Sequence, residues 1–73
     1  PQAAVEACNA KLAQKPRFYA AYLERGINKE KLRRPDEALR DYQRVARMMR
    51  KNSGPWQEAN RRIHRLQKGR RGP

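Results

Sequence analysis

The chain has one cysteine, Cys8, one serine, Ser53, one histidine, His64, and no threonine. A lone cysteine excludes an internal disulfide framework and suits a reducing, cytoplasmic compartment. No group of Cys and His has metal-ligand spacing, so neither a metal nor a cofactor is expected. A nucleophile with a base and an orienting partner needs residue types that are scarce here. Ser53 falls in a turn, and Glu58 or Asp41 would be a lone acid, so the chain is not expected to be an enzyme. Gly69-Arg70-Arg71-Gly72 is too short and too late for a phosphate loop. No apolar run approaches the ~20 residues of a membrane span, and no signal peptide is visible. Alternating apolar and polar runs are absent as well, which leaves no candidate strand.

Acidic residues are also few, 7 against 19 Lys and Arg, for a net charge of +12. Such an excess favours acidic partners, among them nucleic acid, anionic lipid and acidic protein surfaces. The competing reading is a solvated basic surface, balanced by acidic regions elsewhere in a longer protein. At 73 residues there is room for one small domain or a piece of a larger one. Pro1-Gln2 enters in mid-pattern without an initiator Met, so a segment of a longer protein is expected.

What is present reads as helix. Val5, Cys8 and Leu12 lay an apolar stripe along residues 3–14, and Pro16 ends that helix. A second helix is expected from Arg17 to Lys31, with Phe18, Tyr19, Tyr22, Leu23 and Ile27 in a broad stripe. Gly26 sits in its middle at a cost of ~1 kcal/mol, which points to the close approach of another helix. Pro35-Asp36-Glu37 opens a third helix, proline in its first turn and carboxylates at the positive end of its dipole. Ala38, Leu39, Tyr42, Val45, Ala46 and Met49 form its apolar face, and Arg40, Arg44, Arg47 and Lys51 its basic one. Asp36–Arg40 is a favourable i,i+4 pair and Glu37–Asp41 a repulsive one. After the turn at Asn52-Ser53-Gly54, Pro55 opens a fourth helix, with Trp56, Ala59, Ile63 and Leu66 on one side. Gly69 is expected to stop it, leaving a frayed basic tail over 69–73.

A repeat runs through this pattern. Ala4 recurs 34 residues on as Ala38, Val5 as Leu39, Tyr22 as Trp56 and Leu32 as Leu66. Such a period marks a helix-turn-helix repeat architecture. With Tyr22 and Gly26 on one helix, Ala38 and Tyr42 on the next and Leu32 near the turn, "AYLERG" and "DEALRDYQRVARM" resemble the tetratricopeptide repeat family. The resemblance makes 17–52 a full repeat, 1–16 the second helix of a preceding one, and 53–68 a capping helix. Arg25, Lys29, Arg50 and Asn60 depart from the pattern, standing where Leu, Tyr, Pro and Gly are usual. The implied fold is all-α, antiparallel helix-turn-helix units of an α-solenoid in about four helices. The implied function is a non-catalytic protein–protein interaction scaffold with a peptide in a concave groove built by the second and fourth helices. The positions that clamp a chaperone's C-terminal carboxylate in some members are Leu23, Ile27, Gln57 and Arg61 here, which speaks against that class.

Leu23 and Ile27 are the candidate apolar contacts of such a groove, or else they pack against a neighbouring helix. Arg61, Arg65 and Lys68, with Arg62 beside them, form a basic strip for an acidic peptide or a phosphate backbone, or a solvated capping face. The expected partner is a protein or peptide of acidic or amphipathic character. Nucleic acid within a ribonucleoprotein is the alternative. A further one is a homodimer through residues 1–16, whose helix would have an unfilled apolar face. Cys8 is read as a buried thiol, exposed only if a missing preceding helix uncovers it. His64 is read as an exposed surface residue.

Overall fold

A computed structural model describes residues 1–70, and all the regular structure in them is helical. Four helices follow one another: α1 (Gln2–Gln14), α2 (Tyr19–Lys31), α3 (Pro35–Met48) and α4 (Gly54–Arg70). Each packs on the next, α1 on α2, α2 on α3 and α3 on α4. Short connections make neighbours antiparallel, as in a repeat-like all-α fold. The result is a flat body of 41 × 29 × 13 Å.

Local chemistry sets the boundaries. α1 ends where Pro16 forces the residue before it out of the helical region, and Lys15 adopts φ −130 and ψ 83. Phe18 is the extended N-cap of α2, so that helix starts two residues later than Arg17. The stripe expected there narrows accordingly, since Phe18 and Tyr19 are exposed. α2 closes with Arg33 in the left-handed region at φ 60. The Arg33 amide donates to Glu30 O and the Arg34 amide to Lys29 O, both at 2.9 Å. Those two bonds complete a Schellman cap, built here on a non-glycine residue. Ser53 caps α4, its Oγ accepting from the Trp56 amide at 3.4 Å.

Two expectations fail at helix ends. α3 stops at Met48, so Lys51 lies in the following turn and not on the basic ladder of that helix. Gly69 does not stop α4, which continues to Arg70. Glycine lowers helix propensity without blocking the ladder, and the basic residues of this end favour the negative pole of the dipole. The rest of the expected tail, residues 71–73, lies outside the described residues.

The core is small and built as the stripes predict. Val5, Cys8 and Leu12 of α1 are buried, with Tyr22 of α2, Ala38, Tyr42 and Val45 of α3, and Ala59 of α4. The apolar stripe of α1, expected to be unfilled, is therefore covered within the chain. Cys8 is buried with it, and burial pushes its thiol pKa up. Gly26 meets its expected reason. A Cβ built there would lie 2.5 Å from Cε1 of Tyr42, a ring with no exposed surface.

Gly26→Ala gains about 1 kcal/mol of helix propensity but must displace that ring. The net expectation is a loss of about 1–2 kcal/mol, read as a lower urea midpoint. Arg33→Gly relieves the left-handed strain and is expected to raise the midpoint by about 0.5–1 kcal/mol.

Candidate functional site

Two recesses adjoin one another, one between α2 and α4 and one along α4 itself. The first, about 380 Å³, takes Tyr19, Ala20, Leu23 and Ile27 from one wall and Pro55 from the other. Glu24 and Glu58 stand at its edges. The second, about 320 Å³, is lined by Glu58, Arg61, Arg62 and Arg65 of α4. Glu58 belongs to both, so an apolar half and a basic half meet at one carboxylate.

The helix period explains this division. Tyr19, Leu23 and Ile27 recur at i+4 along α2 and share one face. Arg61 and Arg65 do the same on α4. Leu23 is half-buried; it lines the recess and also packs against the core cluster. Ile27 is half-buried and lines the recess without belonging to the packed core cluster.

The basic strip is less free than its sequence suggests. Arg65 donates to Oε1 of Glu30 at 2.6 Å, tying α4 back to α2. Arg62 lies 3.1 Å from Glu58 within its own helix. Arg61 is exposed and makes no ion pair among the described residues. Lys68 is exposed but lines neither recess, so the structure does not bring it to the others. His64 is exposed, as expected.

Glu30 also accepts a short hydrogen bond from the Tyr42 hydroxyl. Burial, then the hydrogen bond to Glu30, raises the Tyr42 pKa well above its ordinary value. The phenol therefore stays protonated and donating. Through Glu30, the buried ring of α3 and the surface guanidinium of Arg65 share one carboxylate.

A second network went unread in the sequence. Arg25 forks onto Asp41, Nε to Oδ2 at 3.0 Å and Nη2 to Oδ1 at 2.7 Å, and its Nη1 reaches Asn9 Oδ1 of α1 at 2.8 Å. Asp41 is 4% exposed. Lys29 lies 3.3 Å from Glu37 and 3.8 Å from Asp41. It bridges the two acids, so the i,i+4 repulsion expected of them is offset by a cation from α2. The hydrogen bond to Asp41 raises the Arg25 pKa further. One signal was available. Asp41 lies three residues after Ala38 and four before Val45, inside the apolar stripe, where a carboxylate needs a partner.

No protein-family model, curated protein or solved structure matches the chain. Among the described residues no helix is long and apolar enough to cross a membrane. Nor do three His, Cys, Asp or Glu side chains gather where a metal ion could be held.

Asp41→Asn leaves Arg25 and Lys29 half-buried without their shared charge. A fully buried broken pair costs about 3–5 kcal/mol. With side chains 20% and 14% exposed, solvent screening reduces the expectation to about 2 kcal/mol. Urea denaturation of the variant beside Glu58→Gln, at a surface pair expected to cost under about 1 kcal/mol, checks this.

Proposed function

We propose that the chain is a non-catalytic interaction module, the end part of a tetratricopeptide-like helical array. Its ligand is a peptide segment with apolar residues followed by acidic ones. The observation that carries this reading is the junction of the apolar and basic recesses at Glu58. Apolar side chains of a peptide would seat between Leu23, Ile27 and Pro55. Its carboxylates would lie toward Arg61, the uncommitted cation of the basic half. Arg65 keeps the walls in register through Glu30 and adds charge at the far end. Lys68 contributes only to the long-range field that steers an acidic segment in.

The basic half is a weak platform for nucleic acid. Arg62 and Arg65 are already paired with carboxylates, which leaves Arg61 as the one uncommitted cation of that recess. A peptide uses both halves, and the apolar half supplies the desolvated contact that affinity requires.

Selection from a displayed peptide library tests the reading. The expected consensus pairs apolar residues one helical turn apart with a following acidic run. Ile27→Ser and Arg61→Gln, both outside the packed core cluster, are each expected to weaken the selected peptide about tenfold or more. No enrichment, or enrichment indifferent to both substitutions, overturns the groove.

A further inference from the structure

The basic ladder of α3 has no part in that groove. It borders a polar cleft of about 540 Å³ between α2 and α3. At ~100° per residue, Leu23 and Arg25 project ~200° apart around α2, so groove and cleft lie on opposite sides of that helix. Arg25 and Lys29 form the wall on α2, already committed to Asp41 and Glu37. Neither acid of the cleft is left over for Arg40, Arg44 and Arg47, all three exposed. The lining therefore holds five cations, Arg25, Lys29, Arg40, Arg44 and Arg47, against two carboxylates, a surplus of three.

We propose that this cleft binds the phosphate backbone of a single-stranded nucleic acid. Four of its five cations are arginines, whose planar fork matches phosphate oxygens and is weakly hydrated. Arg40, Arg44 and Arg47 rise along one helix face by ~6 and ~4.5 Å, a row of donors and not a single anion hole. Arg44 is held over the Tyr22 ring, 5.4 Å from its centroid, which positions the guanidinium without neutralising it. The opposite side of charge chemistry, an acidic peptide, fits less well. Every lining side chain is charged or, at Gln43, an amide, so a peptide would find no apolar anchor. Tyr22 offers no stacking surface, because Arg25 and Arg44 both lie 5.4 Å from its centroid. Contacts are thus to phosphates, and binding is insensitive to base sequence. From Arg40 to Arg47 the row spans ~10.5 Å, within reach of successive phosphates of one strand, which can bend to follow it. This surface is independent of the peptide groove, and either can fail without the other.

Fluorescence anisotropy with a short labelled oligouridylate, titrated across salt, tests the assignment. Each phosphate contact on a single strand contributes about −0.7 to the slope of log K against log salt. Replacing Arg40, Arg44 and Arg47 together by Gln is expected to flatten the slope by about 2 and to weaken low-salt binding by about tenfold or more. The double variant R40Q/R47Q spares the Tyr22 contact and should flatten it by about 1.4, with an unchanged helical circular-dichroism spectrum. A control losing the same charge elsewhere, K11Q/K15Q/R17Q, all exposed, should stay within about twofold of the parent. Equal losses in control and ladder variants would mean that diffuse net charge binds the strand, and would overturn the cleft. So would unchanged binding in the ladder variants, equal affinity for a duplex, or tighter binding of polyglutamate at matched charge. Ile27→Ser is expected to leave oligouridylate binding unchanged, which keeps this test separate from that of the groove.

Discussion

The seat of Tyr42 on Gly26 is the contact on which the other features depend. The ring can lie against α2 only because position 26 has no side chain. That approach puts the phenol within reach of Glu30, one turn further along α2. Glu30 then has an oxygen left for Arg65, and so α4 is drawn toward α2 across the face of α3. A backbone without Cβ at one position in α2 thereby admits the ring whose hydroxyl, through Glu30, is linked to α4. Large aromatic side chains bring the greatest burial per residue, and a chain this short has few of them to place.

Four of the seven acids neutralise cations at short range. Asp41 and Glu37 hold Arg25 and Lys29 at the contact of α2 and α3. Glu30 holds Arg65 between α2 and α4, and Glu58 holds Arg62 along α4. Three carboxylates, Asp41, Glu37 and Glu30, thus meet cations across helix contacts. The surplus lies on outward faces and in the connections, with Arg40, Arg44 and Arg47 on α3, Arg61 and Lys68 on α4, and Arg33, Arg34, Arg50 and Lys51 in the turns. The basic character of the surface follows from that sorting as much as from composition.

Legibility in the sequence tracks the range of the interactions. Four helices, their apolar stripes and the reason for Gly26 follow from period and local chemistry, which act over a few residues. Leu23 and Ile27 line a recess between α2 and α4, and Arg61 and Arg65 line a separate one along α4 that shares Glu58 with it. Lys68 shares their helical face but lies one turn too far along it. What stayed hidden depends on partners distant in sequence. Arg25 and Asp41 are 16 residues apart, and Arg65 and Glu30 are 35. Helical periodicity says which face a charge occupies, not which charge meets it across a contact. The exposure of Phe18 and the run of α4 through Gly69 are of another kind. There a local preference, apolar burial or glycine's cost in a helix, is too weak to fix one residue at a helix end.

The two sides of α2 differ in how they respond to salt, and this follows from their makeup. On the side of Leu23 and Ile27, attraction rests on desolvation of apolar surface, which salt scarcely screens. On the side of Arg25, a surplus of three charges acts on any polyanion through counterion release. The same surplus repels itself in the folded chain, so added salt relieves strain in the fold while weakening the polyanion's hold. A bound phosphate strand provides that relief locally, without weakening Asp41's grip on Arg25 unless it enters deep enough to compete for the fork. Because Asp41 is nearly fully buried and fixed by both its oxygens, such competition would meet a partner already desolvated and aligned. The outer ladder, rather than Arg25, is therefore where the proposed polyanion would gain its energy. The buried pair beneath it serves to hold the two helices at the spacing that makes the cleft.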